Sequence, residues 1–252
     1  MGKPFGIDVS RHDSPLDWDA IAQHDPLVEF VGIRATISWG YIDAWFAQNW
    51  REAKRVGIPR AAYHVVYPDQ SVDSQIDHFL QIVGSDLGEF PLVLDVELNR
   101  GVGCATVRSS VLGCSKKIQK DTGRKPIIYS RASFVDYYVT GQGFVPPSWL
   151  NEHDWWLAQY LKIAEEHPGP PDLPRGVNRE RVIIHQTSDK AEPFGLAPGT
   201  ICTAFDYNRW QLDQPVSAYL GREESAEVDF TRDEKTDLMW AAHPELHVKK
   251  GV

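Results

Sequence analysis

Along the first half of the chain, short apolar runs alternate with stretches in which apolar residues return every three or four positions. FGIDV precedes WDAIAQ, FVGIRAT precedes AWFAQNWREAKRV, and AAYHVV precedes SQIDHFLQIV. The short β-prone runs read as strands, and the three-to-four spacing reads as one buried face of a helix. The alternation continues with PLVLDVE and the segment ATVRSSVLGCSKKIQKDTG, then with PIIYS and a helix beginning near Ala132. Five βα units result, the arrangement that builds a parallel sheet.

The last third has a different rhythm. WWLAQY, RVIIHQ and TAFDYN read as strands separated by Pro- and Gly-rich loops such as HPGPPDLPRG, with no helical pattern between them. Five βα units followed by three further strands make eight, the number that closes a small side-chain-filled barrel, so the expected fold is an irregular, flattened β/α barrel. After about Asp213 the chain passes into GREESAEVDFTRDEKTD, dense in both charges and poor in large apolar residues. The expected division is therefore a catalytic barrel over 1–215 and a charged linker with a short tail over 216–252.

Composition narrows the range of partners. With 35 acidic against 26 basic residues, the net charge is −9. Binding through phosphates needs Lys and Arg to displace counterions, so nucleic acid is not an expected ligand. Cys104, Cys114 and Cys202 have neither metal-ligand spacing nor an even count, and no H-E-x-x-H pattern occurs. No metal or other cofactor is expected. The start MGKPFGIDVS lacks the features of a secretory signal, and no apolar run reaches membrane-spanning length. A soluble protein is expected, either released by another factor or already stripped of its leader.

In β/α barrels, chemistry collects where strands stop. The strand ends carry Asp8, Tyr63 with His64, Asp95 with Glu97, Tyr129, Gln159, Gln186 and Asp206. Strand alternation puts Asp95 and Glu97 on one face, about 7 Å apart along the chain. Two carboxyls in one partly desolvated site cannot both ionise cheaply, so Asp95 is expected to help keep Glu97 protonated as a general acid. Alone, such a pair reads more readily as two capping or salt-bridging acids. Asp8 and Asp206, on the first and last strands, would meet across the barrel seam and bring four acids to one mouth.

On these segments, together with KPIIYS, HQTS and FDYNRW, the sequence resembles glycoside hydrolase family 25, the Chalaropsis-type lysozymes, over roughly residues 4–213. The resemblance implies a β-1,4-N-acetylmuramidase acting on peptidoglycan glycan strands, such as the catalytic domain of a phage endolysin. Glu97 would be the proton donor, and Asp8, Asp95 and Asp206 would complete the site. The net charge of −9, which opposes approach to an anionic wall, adds the expectation of a separate or missing wall-binding module. Tyr63, Tyr129, Gln159 and Gln186 are candidates for binding substrate, by sugar stacking or by hydrogen bonds to acetamido groups. His64 is as readily a structural histidine. Departures from the family pattern fall at Ser10–Ser14, where Gln and Gly are usual, at Trp39 after the second strand, and at His185, where Trp usually precedes Gln. Two other classes remain: a metal-dependent hydrolase built on the same four acids, and a wall-binding module without catalysis.

Overall fold

A computed structural model describes residues 2–162 and 168–221. Five βα units lead the chain: β1 (Phe5–Val9) with α1 (Trp18–Ala22), β2 (Val28–Ile37) with β3 (Tyr41–Ile42) and α2 (Phe46–Arg55), β4 (Arg60–Val65) with α3 (Val72–Val83), β5 (Val93–Asp95) with α4 (Cys104–Thr122), and β6 (Ile127–Ser130) with α5 (Ala132–Phe134). Then come β7 (Trp155–Ala158), β8 (Val182–Ala191), β9 (Phe205–Trp210) and the short α6 (Val216–Leu220). The sheet runs β1-β9-β8-β7-β6-β5-β4-β2-β3, and pairing of β1 with β2 closes eight of these strands into a barrel.

The helices form where amphipathic spacing lets them cover the barrel. On α2, Phe46, Asn49, Trp50 and Ala53 are buried, which is the i, i+3, i+4, i+7 face of a helix. On α3 the Ser71 hydroxyl accepts from the Ser74 amide at 3.3 Å and caps the first turn. Gly123, at φ 75°, ends α4 in the left-handed conformation that favours glycine.

Strand alternation sorts the core into two layers. Ala61, Val93, Ile127, Tyr129, Trp156 and Ile184 pack inside the barrel. Ala62, Leu94, Ile128 and Leu157 pack outward beneath the helices. The adjacent tryptophans divide the same way: Trp156 fills the interior, while Trp155 turns outward and donates to the Leu150 carbonyl at 2.8 Å. Gly32 permits this, because a β-carbon there would stand 2.6 Å from the Trp156 ring.

The structure departs from the sequence expectation in four places. The stretch after β2, expected as a loop, folds back as β3, pairing Thr36 with Ile42 and Ile37 with Tyr41. The final strand is antiparallel to both neighbours, so Asp206 lies at its start and not at its end. Asp206 still reaches the same mouth, because reversing a strand exchanges its ends. The helix expected from Ala132 makes only one α-helical turn before continuing as a π-helical turn over Val135–Thr140.

The fourth departure concerns the boundary at 215. Val216 and Tyr219 of α6 are buried. The Tyr219 ring meets Trp210 edge-on at 5.2 Å, and its hydroxyl donates to Asp154 at 3.0 Å. The packed unit therefore runs through Leu220, because α6 carries apolar residues that cover the end of the barrel core. The remainder of the expected linker and tail lies outside the described residues. No described helix is long and apolar enough to cross a membrane.

Candidate active site

A cavity of about 350 Å³ opens at the mouth where the parallel strands end, and Asp8, Asp95, Glu97 and Asp206 all line it. Asp8 and Asp206 face each other in the β1–β9 register. Asp95 is the last residue of β5, and the chain stays extended for one more step as the Val96 amide donates to the Tyr129 carbonyl at 2.9 Å. That keeps the alternation intact and turns Glu97 to the same side as Asp95.

Asp8 is the most firmly held of the four. Its Oδ2 accepts from Gln186 Nε2 at 2.9 Å and from Asn208 Nδ2 at 2.8 Å. Each amide is itself oriented: the Tyr129 hydroxyl donates to Gln186 Oε1 at 2.8 Å, and Trp156 Nε1 donates to Asn208 Oδ1 at 2.8 Å. The oxygen of each amide is engaged by a donor, so its nitrogen must face Asp8. Asp95 is the opposite case. It is buried, and its Oδ1 has no hydrogen-bond partner among the described residues.

Burial raises all four carboxyls, and repulsion from neighbouring members of the cluster adds to it at Asp95 and Asp206. Burial raises Asp8 to about 6, held back by the amide donors of Asn208 and Gln186. Asp206 rises to about 9, first through burial and then through the charge of Asp8, to which it donates a hydrogen bond when protonated. Asp95 is pushed well above the usual carboxylate range by burial, then by Glu97 and by Asp8. Burial also raises Glu97, opposed by Arg131. Of the two effects expected together to keep Glu97 protonated, burial and the field of Asp95, burial does raise Glu97, while the charge repulsion within the pair falls on the deeper Asp95.

These shifts fix how stability depends on pH. A carboxyl raised on folding binds more protons in the native than in the unfolded state, so stability falls as pH rises between its unfolded and folded values. For Asp8 that window runs from 3.8 to about 6, and for Asp206 from 3.8 to about 9. Thermal melts of the wild type should lose stability from pH 5 to pH 9. Asp206→Asn should flatten that decline and melt higher at pH 8; an unchanged slope would show that Asp206 carries no such burden.

The remaining candidates separate clearly. Tyr63, Tyr129 and Gln186 line the cavity, but Gln186 spends both ends of its amide on Tyr129 and Asp8. Gln159 is not among the residues lining this cavity. Its amide pairs with Asp172, donating at 3.0 Å and accepting from the Asp172 backbone at 2.6 Å. His64 points away from the mouth, between Thr36 at 2.7 Å and Gln75 at 3.1 Å, which is a structural role. His185 likewise faces outward, to the Gln159 carbonyl at 2.8 Å.

Several site residues were not anticipated from the sequence. Asn208 and Trp156 hold Asp8, and Asn208 lies two residues beyond Asp206 on the same strand face, a spacing from which it could have been read. Arg34 lines the cavity and is fixed by Asp43 at 2.8 Å. Arg131 stands 3.6 Å from Glu97 and donates to the Tyr160 hydroxyl at 3.1 Å. Two amide donors already point at Asp8 Oδ2, an arrangement that suits a carboxylate fixed by hydrogen bonds.

Comparison with known proteins agrees with this architecture. The family model described as Glycosyl hydrolases family 25 matches residues 7–193. The protein YegX of Escherichia coli K12 is 35% identical over 167 residues, 65% of this chain and 59% of that protein. The chain thus spans less than two thirds of the length of that relative. Lysozyme M1 of Streptomyces globisporus is 30% identical over 139 residues, 51% of this chain and 47% of its own. In fold, the chain resembles the bacterial lysozyme from Streptomyces coelicolor with a TM-score of 0.72 at 23% identity, covering 87% of this chain and 96% of that one. With its family model matched over most of the barrel, this chain belongs to glycosyl hydrolase family 25.

Proposed function

We propose that this protein hydrolyses the glycan strands of bacterial peptidoglycan, cutting the β-1,4 bond between N-acetylmuramic acid and N-acetylglucosamine with Glu97 as proton donor. The observation that carries the reading is the buried, unpartnered Oδ1 of Asp95, two residues from Glu97 in one cavity. A 2-acetamido N–H of the bound sugar supplies the missing partner. That bond favours the ionised form of Asp95 and turns the acetamido oxygen toward the anomeric carbon.

Bond cleavage then follows in balanced steps. Glu97 gives its proton to the glycosidic oxygen as the acetamido oxygen attacks the anomeric carbon and the leaving sugar departs. Water next opens the cyclic intermediate while Glu97 takes back a proton, restoring enzyme and acetamido group with retained configuration. Asp8, fixed by Gln186 and Asn208, supplies the negative field for the cationic transition state. Tyr63 presents its ring and hydroxyl to the sugar, and Tyr129, whose hydroxyl donates to Gln186, presents its ring.

Lysozyme M1 and the Streptomyces coelicolor lysozyme lend support by their names. Dye-labelled peptidoglycan distinguishes the three classes. Release of soluble fragments, undiminished by chelator, is expected. Binding without release would leave a wall-binding module, and loss of release in chelator would point to a metal hydrolase.

A further inference from the structure

Glu97 lines two cavities, the acidic one and a neighbour of about 400 Å³ bounded by Arg131, Ser133, Phe134, Tyr137 and Tyr138. The two differ in chemistry. The first concentrates carboxyls deep in the barrel mouth, whereas the second offers three aromatic rings, the Ser133 hydroxyl and the Arg131 guanidinium. Tyr137 and Tyr138 meet edge-on with centroids 4.6 Å apart, and Phe134 lies 4.9 Å from Tyr138.

The local backbone explains why Tyr137 faces solvent while Phe134 and Tyr138 lie partly buried against the core. From Val135 to Thr140 the chain forms a π-helical turn in which Val135, Val139 and Thr140 are buried. The Gly141 amide closes it onto the Asp136 carbonyl at 3.1 Å. π-Turns of this kind often occur where a helix must present side chains at a functional site. The turn is braced at its end: Arg108 donates to the Val139 carbonyl at 2.9 Å and to the Thr140 carbonyl at 2.8 Å. Arg175 donates to the Gly141 carbonyl at 2.8 Å. Tyr137 remains 53% exposed on this braced segment, so its ring is available to a ligand.

We propose that the Phe134–Tyr137–Tyr138 cavity is the subsite for the leaving-group sugar, an N-acetylhexosamine stacked on the tyrosine rings with Ser133 at its polar edge. The inference rests on the proposed hydrolysis at Glu97. A proton donor must reach the oxygen between two sugars, so the sugars lie on its two sides. The carboxyl cluster that stabilises the cationic ring defines one side; the aromatic cavity, sharing Glu97 and offering the apolar faces that pyranoses stack on, is the other. The reducing end of the strand therefore runs over the π-turn.

Tyr137→Ala tests the assignment, since that side chain is exposed and its loss opens no core cavity. On purified glycan strands kcat/KM should fall about tenfold, the scale of a lost aromatic contact. In a Glu97→Gln background, affinity should weaken by a similar factor for a tetrasaccharide that spans the scissile bond. Affinity for a disaccharide ending in reducing N-acetylmuramic acid, which fills only the acidic side, should be unchanged. Equal weakening for both ligands, or for neither, would overturn the subsite. A wild-type protein that fails to cleave the strands would instead strike the hydrolase reading itself.

Discussion

Replacing Glu97 by glutamine is expected to abolish turnover on peptidoglycan, a loss of about 10²–10⁴-fold, with melting temperature and wall binding close to those of the wild type. The side chain sits at the lip of the acidic cavity, 32% exposed, with Arg131 as a charged partner at 3.6 Å. Little of the fold depends on it, and the amide preserves its shape. What is lost is the proton delivered to the glycosidic oxygen. Because burial raises Glu97 while Arg131 lowers it, Arg131→Met should move the basic limb of the wild-type pH profile to higher pH. Turnover of Glu97→Gln within a few fold of wild type would remove Glu97 from the role of acid.

Asp95→Asn should be nearly as severe, lowering kcat by about 10²–10³-fold while changing KM little. Asparagine can satisfy the cavity sterically, but it cannot become anionic when the acetamido N–H arrives. It also presents an N–H of its own where an acceptor is needed. The folded protein should tolerate the change and could even gain stability at neutral pH, since burial and two neighbouring carboxyls oppose ionisation of Asp95. A variant with near-normal kcat would contradict the role given to the unpartnered oxygen.

The period of two along a strand made much of the site legible. It placed Asp95 with Glu97, and it would also have separated Tyr63 from His64 and Trp156 from Trp155 had one residue of each strand been anchored inside the barrel. Gln159 follows the same logic: it lies one step from the inward Ala158, so its side chain falls away from the acidic cavity and meets Asp172. Direction is not encoded in such a period. The FDYN run reads alike both ways, so the antiparallel course of β9 and the exact neighbours of Asp206 emerged only from the closed sheet.

Other features lie beyond the reach of pattern. Asn208 matters because Trp156, distant in sequence, fixes its amide toward Asp8. The π-turn after α5 has the apolar content of an ordinary helix, and only its closure from Gly141 to Asp136 reveals the extra residue that leaves Tyr137 exposed beside a partly buried Tyr138. The relative sizes of the carboxyl shifts likewise depend on depth in the cavity, which spacing alone does not give.

The central claim is tested most directly by the sugar left at the new reducing end. Purified peptidoglycan is digested with the protein, the products are reduced with borohydride, and the muropeptides are read by mass spectrometry. Hydrolysis of the proposed bond gives reduced N-acetylmuramic acid as the terminal sugar in the wild-type digest and no such product with Glu97→Gln. Reduced N-acetylglucosamine at the new ends, or no glycan fragments at all from the wild type, would contradict the assignment of bond and acid.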